Sequence, residues 1–476
     1  MIHAHTADQV RTAERTLLDR LPDGALMQRA ARGLAHAVAD LLGEPYGARV
    51  LLVVGSGDNG GDALHAGAAL ARRGVLVEAW PLTEHPHAEG LAALLSAGGR
   101  LVDGPPRRRP DLVVDGVVGI GGRPGLRDDA RAAFASVDGV PVVAVDVPSG
   151  VDVDSGEVPD EPGSHVSATL TVTFGTHKAA HLVDPAATAC GAVHLVDIGL
   201  DPELPAPGLE ALQPEDVTDL LPRPGGDAQK YTRGVVGVRA GSSTYPGAGL
   251  LSVAGASCGL AGMVRYVGDA DVLRLVHADH PEVVGAGRVQ AWVVGSGSGD
   301  GAAATLDDAL DDGVPTVVDA DALAHLPAAL ARRGGTFRDD LVLTPHAGEL
   351  AALLGVERAE VEARPLAHVR TAADRFGCTV LLKGRRTLVA GPPAAGLPVR
   401  VNLTGTPWLV TAGAGDVLGG LVGALLAAGV TPYDAASVGA WLHGAAASRT
   451  SAGGPIAAGD VARALPPTLA ATLAGR

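Results

Sequence analysis

Arg49-Val50-Leu51-Leu52-Val53-Val54 runs straight into Gly55-Ser56-Gly57-Asp58-Asn59-Gly60-Gly61-Asp62. A short aliphatic run that ends in a glycine turn and opens an Ala/Leu-rich stretch predicts a buried parallel strand followed by a crossover helix. The same grammar recurs at Leu112–Val114 before Asp115 and at Val142–Val145 before Asp146, so the polar residues after each run gather along one sheet edge, where open α/β sheets bind ligands. It resumes later at Val235–Val238, Ala291–Val294, Thr316–Val318, Leu341–Leu343 and Thr379–Leu382. Between the two series, prolines 202, 205, 207, 214, 222 and 224 crowd the stretch Gly199–Gln229, which reads as a linker. The expectation is α/β throughout, in two domains, 1–208 and 209–476.

The chain has 476 residues, 47% hydrophobic and 19% charged, which excludes wholesale disorder. A net charge of -16, with no basic stripe, argues against nucleic acid as a partner. Cys190, Cys258 and Cys378 are far apart and form no C-x-x-C pair, so reduced thiols are expected and a disulfide framework is not. The start, through Asp23, has the pattern of an amphipathic helix and lacks a signal peptide's apolar core. The run Val417–Val430 is too short and too glycine-rich to span a bilayer. A cytoplasmic protein without membrane association is expected, and a homo-oligomer is compatible with the sequence.

Gly55 to Gly60 satisfies G-x-G-x-x-G, and Glu78 stands near the distance of a ribose-binding acid, so a nicotinamide dehydrogenase enters consideration. Asp58 and Asp62 at the helix start argue against a bare diphosphate there and suit a cation or a polar ring better. Further acids follow at neighbouring strand ends: Asp115-Gly116-Val117-Val118-Gly119-Ile120-Gly121-Gly122, and Asp146-Val147-Pro148-Ser149-Gly150. Carboxylates at adjacent strand ends are hard to explain as packing. Lysine occurs only at 178, 230 and 383, and Lys178 closes another strand-end motif, Thr173-Phe174-Gly175-Thr176-His177-Lys178. A lysine kept where arginine is otherwise used marks a place for a compact, titratable ammonium.

These four motifs, with Leu26-Met27-Gln28-Arg29-Ala30-Ala31, resemble the NAD(P)HX epimerase family, the YjeF amino-terminal domain, over residues 1–208. The resemblance implies a Rossmann-like three-layer sandwich acting on a nicotinamide cofactor damaged by hydration of its reduced ring. It implies a potassium ion held by Asn59, Asp115 and Ser149. Substrate contacts would come from Asp58, Asn59, Gly60, Gly61, Asp62 and from Gly119, Ile120, Gly121, Gly122, Arg123, Pro124 and Gly125. Asp146 would do acid–base work and touch substrate, with Lys178 as its partner. The family usually has Asn where Asp58 stands and Gly where Ala63 stands.

In the second half, Ser242-Ser243-Thr244-Tyr245-Pro246-Gly247-Ala248, Gly295-Ser296-Gly297-Ser298-Gly299, Asp319-Ala320-Asp321 and Thr344-Pro345-His346-Ala347-Gly348-Glu349 follow successive strands. Thr411-Ala412-Gly413-Ala414-Gly415-Asp416 opens a helix whose exposed amides suit phosphoryl oxygens, with Asp416 in reach of an attacking hydroxyl. Lys383-Gly384-Arg385-Arg386-Thr387 adds cationic and small polar groups for a nucleotide phosphate. Together they resemble the ADP-dependent NAD(P)HX dehydratase family, the YjeF carboxy-terminal domain, with a ribokinase-like fold. The resemblance implies dehydration of the S epimer at the expense of ADP with magnesium, giving AMP and phosphate. Ala248, Gly297, His346 and Asp416 would contact substrate, Lys383 to Thr387 and Gly415 the nucleotide, with Asp416 as catalytic base. The partners are then hydrated NADH and NADPH, and ADP. Ser296 and Ser298 replace the usual Pro and Leu, and Ala412 and Ala414 a Gly and a Thr. The alternative is a vitamin kinase fused to a non-catalytic nucleotide-binding module.

Overall fold

The computed structural model describes residues 1–335 and 338–475. The chain divides into two compact units, His3–Leu209 and Glu210–Arg476, the second also gathering Met1 and Ile2. Strand β1 (Ile2–Ala4) leads into a helix over Ala7–Leu18, whose start is fixed by a reciprocal Thr6/Gln9 capping box.

The first unit is built on seven parallel strands: β2 (Arg49–Val54), β3 (Leu76–Pro81), β4 (Arg100–Leu101), β5 (Leu112–Gly116), β6 (Val142–Val145), β7 (Leu170–Phe174) and β8 (Ala192–Val196). Alternation along β2 explains the three layers. Val50, Leu52 and Val54 face a core shared with helices Ala25–Leu42 and Asp58–Arg72, while Leu51 and Val53 face one closed by Ala130 and Ala133 of helix Asp128–Ala135. The sheet order is β4-β3-β2-β5-β6-β7-β8. The chain leaves β2 in one direction and returns to β5 on the other side, so the crevice beyond the carboxyl ends of β2 and β5 is the topological switch point.

The second unit contains β9 (Leu209–Ala211), β10 (Val235–Arg239), β11 (Met263–Tyr266), β12 (Ala291–Val294), β13 (Thr316–Val318), β14 (Leu341–Leu343), β15 (Thr379–Leu382), β16 (Thr387–Ala390) and β17 (Val399–Asn402). From β11 the order runs β10-β12-β13-β14-β15 in parallel, then β16 and β17 antiparallel, with β9 next to β17. Its switch point lies between β10 and β12. Val236, Val238, Val293, Val317, Val342 and Leu381 share one core with helices Ala414–Ala427, Pro432–Ser451 and Ala458–Leu473. This is the ribokinase-like α/β arrangement.

The expected linker over Gly199–Gln229 requires correction. Proline there starts structure as well as breaking it: β9 and a helix over Pro214–Leu220, with proline at its first turn, occupy its middle. Leu212, Val217 and Leu221 are buried in the second unit's core. Glu78 is also misplaced as a ribose ligand: it sits mid-strand opposite Leu51, short of the carboxyl edge.

Candidate active sites

At the first switch point the backbone closes tightly enough to demand glycine. A Cβ on Gly55 would lie 2.1 Å from the Val117 carbonyl oxygen, and one on Gly60 2.5 Å from that of Gly55. Gly116 is needed because Ala63 is there: its Cβ would fall 2.6 Å from Ala63's. The departure at Ala63 is thus absorbed by the facing glycine. The turn brings Asn59 and Asp146 together, since a Cβ on Gly119 would meet Asn59 Oδ1 at 2.6 Å and Asp146 Oδ2 at 3.4 Å.

Asp146 follows β6 with φ +67°, a left-handed conformation a non-glycine residue adopts only when its surroundings impose it. Lys178 Nζ donates to Asp146 Oδ1 at 2.5 Å, to Thr173 Oγ1 at 2.9 Å and to the Phe174 carbonyl at 3.3 Å, and Thr173 Oγ1 donates to Asp146 Oδ1 at 3.0 Å. His181 Nδ1 accepts from the Lys178 amide, so Nε2 carries the hydrogen and donates to the Asp146 carbonyl at 2.8 Å. Burial alone would push the Asp146 carboxyl up, but the charge and hydrogen bond of Lys178 outweigh it and hold the acid below its ordinary value. His181 is pushed down to about 3 by burial and by Lys178, which keeps its ring neutral.

Asp115 and Ser149 form a second buried pair. Ser149 Oγ donates to Asp115 Oδ1 at 2.6 Å, the Ser149 amide to Oδ2 at 2.8 Å and the Val117 amide to Oδ1 at 3.2 Å. Even so, burial raises the Asp115 carboxyl to about 6. The Asn59 Nδ2 atom is buried with no protein partner among the described residues. Ile120 is held through its carbonyl by Arg11 at 3.0 Å, and the Gly119–Gly122 turn closes on itself, while Gly121, Arg123 and Pro124 are exposed. Thr173, His181 and Arg11 were not legible as site residues: two are ordinary polar neighbours of a lysine motif, and the third reaches in from a helix 109 positions away in sequence.

The second switch point is organised around Asp319, just after β13, which is 2% exposed. Lys383 Nζ donates to Asp319 Oδ1 at 2.8 Å and lies 3.7 Å from Glu349 Oε2. Ser296 Oγ donates to Asp319 Oδ2 at 3.2 Å and also bonds Asp416. Burial and the Asp319 charge raise the Asp416 carboxyl to about 6, against the opposing pull of Ser296 and Lys383. Serine at 296 therefore places a hydroxyl between two acids. Gly297, at φ +62°, packs on Ala248 and Tyr245, so a Cβ would fall 2.7 Å from Ala248's. A Cβ on Gly415 would lie 3.5 Å from Lys383 Nζ.

Lys383, Gly415 and Asp416 are thus gathered at one point. Gly384 and Arg385 sit on the exposed β15–β16 turn, where Thr387 Oγ1 donates to the Gly384 carbonyl and Arg386 to that of Leu403. The His346 ring caps the next helix: Nδ1 accepts from the Glu349 amide, and Glu349 Oε2 from the His346 amide. Asp319 was visible in sequence as a strand-end acid, but its pairing with a lysine 64 positions away was not.

The description "YjeF-related protein N-terminus" matches residues 23–180, and "NAD(P)H-hydrate dehydratase" residues 236–465. A bifunctional NAD(P)H-hydrate repair enzyme of Mycobacterium leprae is 47% identical over 471 residues, covering 95% of each chain. The chain belongs to the bifunctional NAD(P)H-hydrate repair enzyme family. The Corynebacterium glutamicum member is 38% identical over 89% of this chain and 86% of its own. An ADP-dependent (S)-NAD(P)H-hydrate dehydratase of Neisseria meningitidis is 42% identical over 51% of this chain and 85% of its own. A solved Bacillus subtilis ADP/ATP-dependent NAD(P)H-hydrate dehydratase superposes with TM-score 0.50 at 24% identity, covering 55% of this chain and 98% of its own, which fixes the fold of the second unit. No described helix is long and apolar enough to cross a membrane.

Proposed function

We propose that this repair-family chain restores hydrated nicotinamide cofactors in two steps. The first unit interconverts R- and S-NAD(P)HX, and the second dehydrates S-NAD(P)HX to NAD(P)H with ADP, releasing AMP and phosphate. The observation that carries the reading is a buried carboxylate bonded to a lysine at each of two separate switch points, Asp146 to Lys178 and Asp319 to Lys383.

In the first site, loss of the ring hydroxyl leaves a cation delocalised onto the ring nitrogen. An ionised, pre-oriented Asp146 stabilises that charge without reorganisation and accepts the proton of entering water. Lys178, held by Asp146, Thr173 and Phe174, fixes the carboxylate's direction. The segments Asp58–Asp62 and Gly119–Gly125 would enclose the dinucleotide. Potassium fits the donor chemistry: Asn59, Asp115 and Ser149 each offer a side-chain oxygen, and burial holds the Asp115 pKa up despite three donors, so a bound cation would offset the cost of its buried charge.

In the second site, hydroxide is a poor leaving group, and phosphorylation of the ring hydroxyl makes the oxygen one that departs readily. Asp416, ionised above about pH 6, takes the hydroxyl proton as the oxygen attacks the terminal phosphoryl of ADP. AMP leaves. Phosphate then departs with the C–O electron pair, and loss of a proton from the adjacent ring carbon restores the dihydronicotinamide. The Gly413–Gly415 helix start presents amides to phosphoryl oxygens, with Lys383 as the neighbouring cation. Ala248, Gly297 and His346 would line the substrate side, and Lys383–Thr387 the nucleotide side. The described residues contain no cluster of three metal-ligating side chains. That suits magnesium carried by nucleotide phosphates with one or two carboxylates, where it would neutralise phosphate charge.

The test follows dihydronicotinamide absorbance from a mixture of hydrated epimers with ADP, ATP or neither. Regeneration that requires a nucleotide and proceeds to completion supports the reading. Nucleotide consumption without regeneration would instead mark a kinase.

A further inference from the structure

Asp62 lies one turn beyond Asp58 in the helix Asp58–Arg72, on the face it shares with Asp58 and Asn59. It is 8% exposed, yet its Oδ1 is buried without a hydrogen-bond partner among the described residues. An ionised carboxylate stranded in this way is costly, whereas a protonated one is a donor awaiting an acceptor. The groups acting on Asp62 are themselves acids: Asp146 after β6, Asp58 on the same helix, and Glu14 from the helix Ala7–Leu18. The nearby cations are engaged elsewhere, Lys178 on Asp146 and Arg11 on Asp8 and the Ile120 carbonyl.

We propose that Asp62, as a neutral carboxylic acid, donates the proton with which the ring hydroxyl leaves as water during epimerisation. The inference rests on the repair function proposed above and gives that first site its acid. The C–O bond breaks with its electron pair on oxygen, which takes the Asp62 proton, while the ring nitrogen lone pair forms a C=N bond. Water then bonds to the opposite face, the C=N pair returns to nitrogen, and Asp146 takes the water's proton. Asp62 is left ionised and Asp146 protonated. Exchange with solvent, or one turnover in the reverse direction, resets both. Burial, and then its negative neighbours, hold Asp62 well above the usual carboxylate range, while Asp146 is held below it by Lys178. Two carboxyl groups pushed apart in this way are the pattern of an acid and a base sharing one site.

The test uses the full chain and purified R epimer, separating R from S by chromatography at early times across a pH series. The unaltered chain should lose epimerisation as pH rises and Asp62 ionises. Asp62→Asn should lower the rate by about 10²–10⁴ and abolish that alkaline limb, with ADP-dependent dehydration of the S epimer unchanged. Glu14→Gln removes a negative neighbour and should move the limb to lower pH. An Asp62→Asn chain that epimerises like the unaltered one, or that is slowed but keeps the alkaline limb, overturns the assignment. If Asp62→Asn fails to fold, the Glu14→Gln limb decides: displacement supports the proposal, and no displacement overturns it. An unaltered chain that cannot epimerise at all fails the repair reading itself, a result distinguishable from either.

Discussion

Asp146, just after β6, and Asp416, in the first turn of the helix Ala414–Ala427, are both acids near a lysine, yet their surroundings set them to different work. Lys178 bonds Asp146 directly and keeps it ionised, whereas Lys383 is bonded to Asp319 and leaves Asp416 with a carboxyl at about 6. A base must be unprotonated, so kcat/KM for dehydration should rise with pH through about 6 and be lost below it. Asp416→Asn should cost about 10²–10⁴ in dehydration and leave epimerisation intact. A pH series with ADP and the purified S epimer checks both. Asp115→Asn should weaken binding of the hydrated cofactor and remove any response of epimerisation to potassium. Rates with potassium against a large organic cation would show it, and an unchanged response would place the ion elsewhere. The acids themselves were legible because Asp115 and Asp146 end aliphatic runs and Asp416 follows a glycine-rich helix start. The Thr173, His181 and Ser296 contacts were not, because nothing in a linear spacing says which hydroxyl or ring will face a carboxylate.

The helix Ala414–Ala427 that carries Asp416 crosses Pro246–Ala256 backbone to backbone. A Cβ on Gly420 would lie 2.0 Å from the Ser252 carbonyl oxygen, and one on Gly255 2.1 Å from that of Val417. Neither obstacle is a flexible side chain, so the helices must separate to admit a methyl group. Gly420→Ala, one turn beyond Asp416, should cost about 1–3 kcal/mol of stability and reduce dehydration, with epimerisation spared. Urea midpoints and the two activities measured on one preparation test this. In the sequence those glycines sit in an apolar run whose only evident message was a buried helix. The strand ends show the same limit from the other side: Asp146 at φ +67° and Ala320 at φ +46° are held in left-handed turns that no residue type there announces.

Over the whole molecule, each unit has its own switch point and its own buried cores. If the two sites are independent catalysts, an Asp146→Asn chain should dehydrate S at the normal rate and stall on R, apart from spontaneous epimerisation. An Asp416→Asn chain should do the converse. Mixing the two should restore conversion of both epimers at early times, because the intermediate is free to diffuse. A mixture no better than the Asp146→Asn chain alone would mean that one polypeptide must do both steps. The sequence by itself determined the two α/β halves and the acids at their strand ends, because burial of a parallel strand on both faces imposes aliphatic runs, and turns at its carboxyl end impose glycine. Only the tertiary structure decided that Leu212, Val217 and Leu221, inside the expected linker, are core, that Lys383 belongs to Asp319, and that Asp62 is sealed among other acids. Those facts depend on desolvation and on contacts between residues distant in the chain, and neither is encoded in local periodicity.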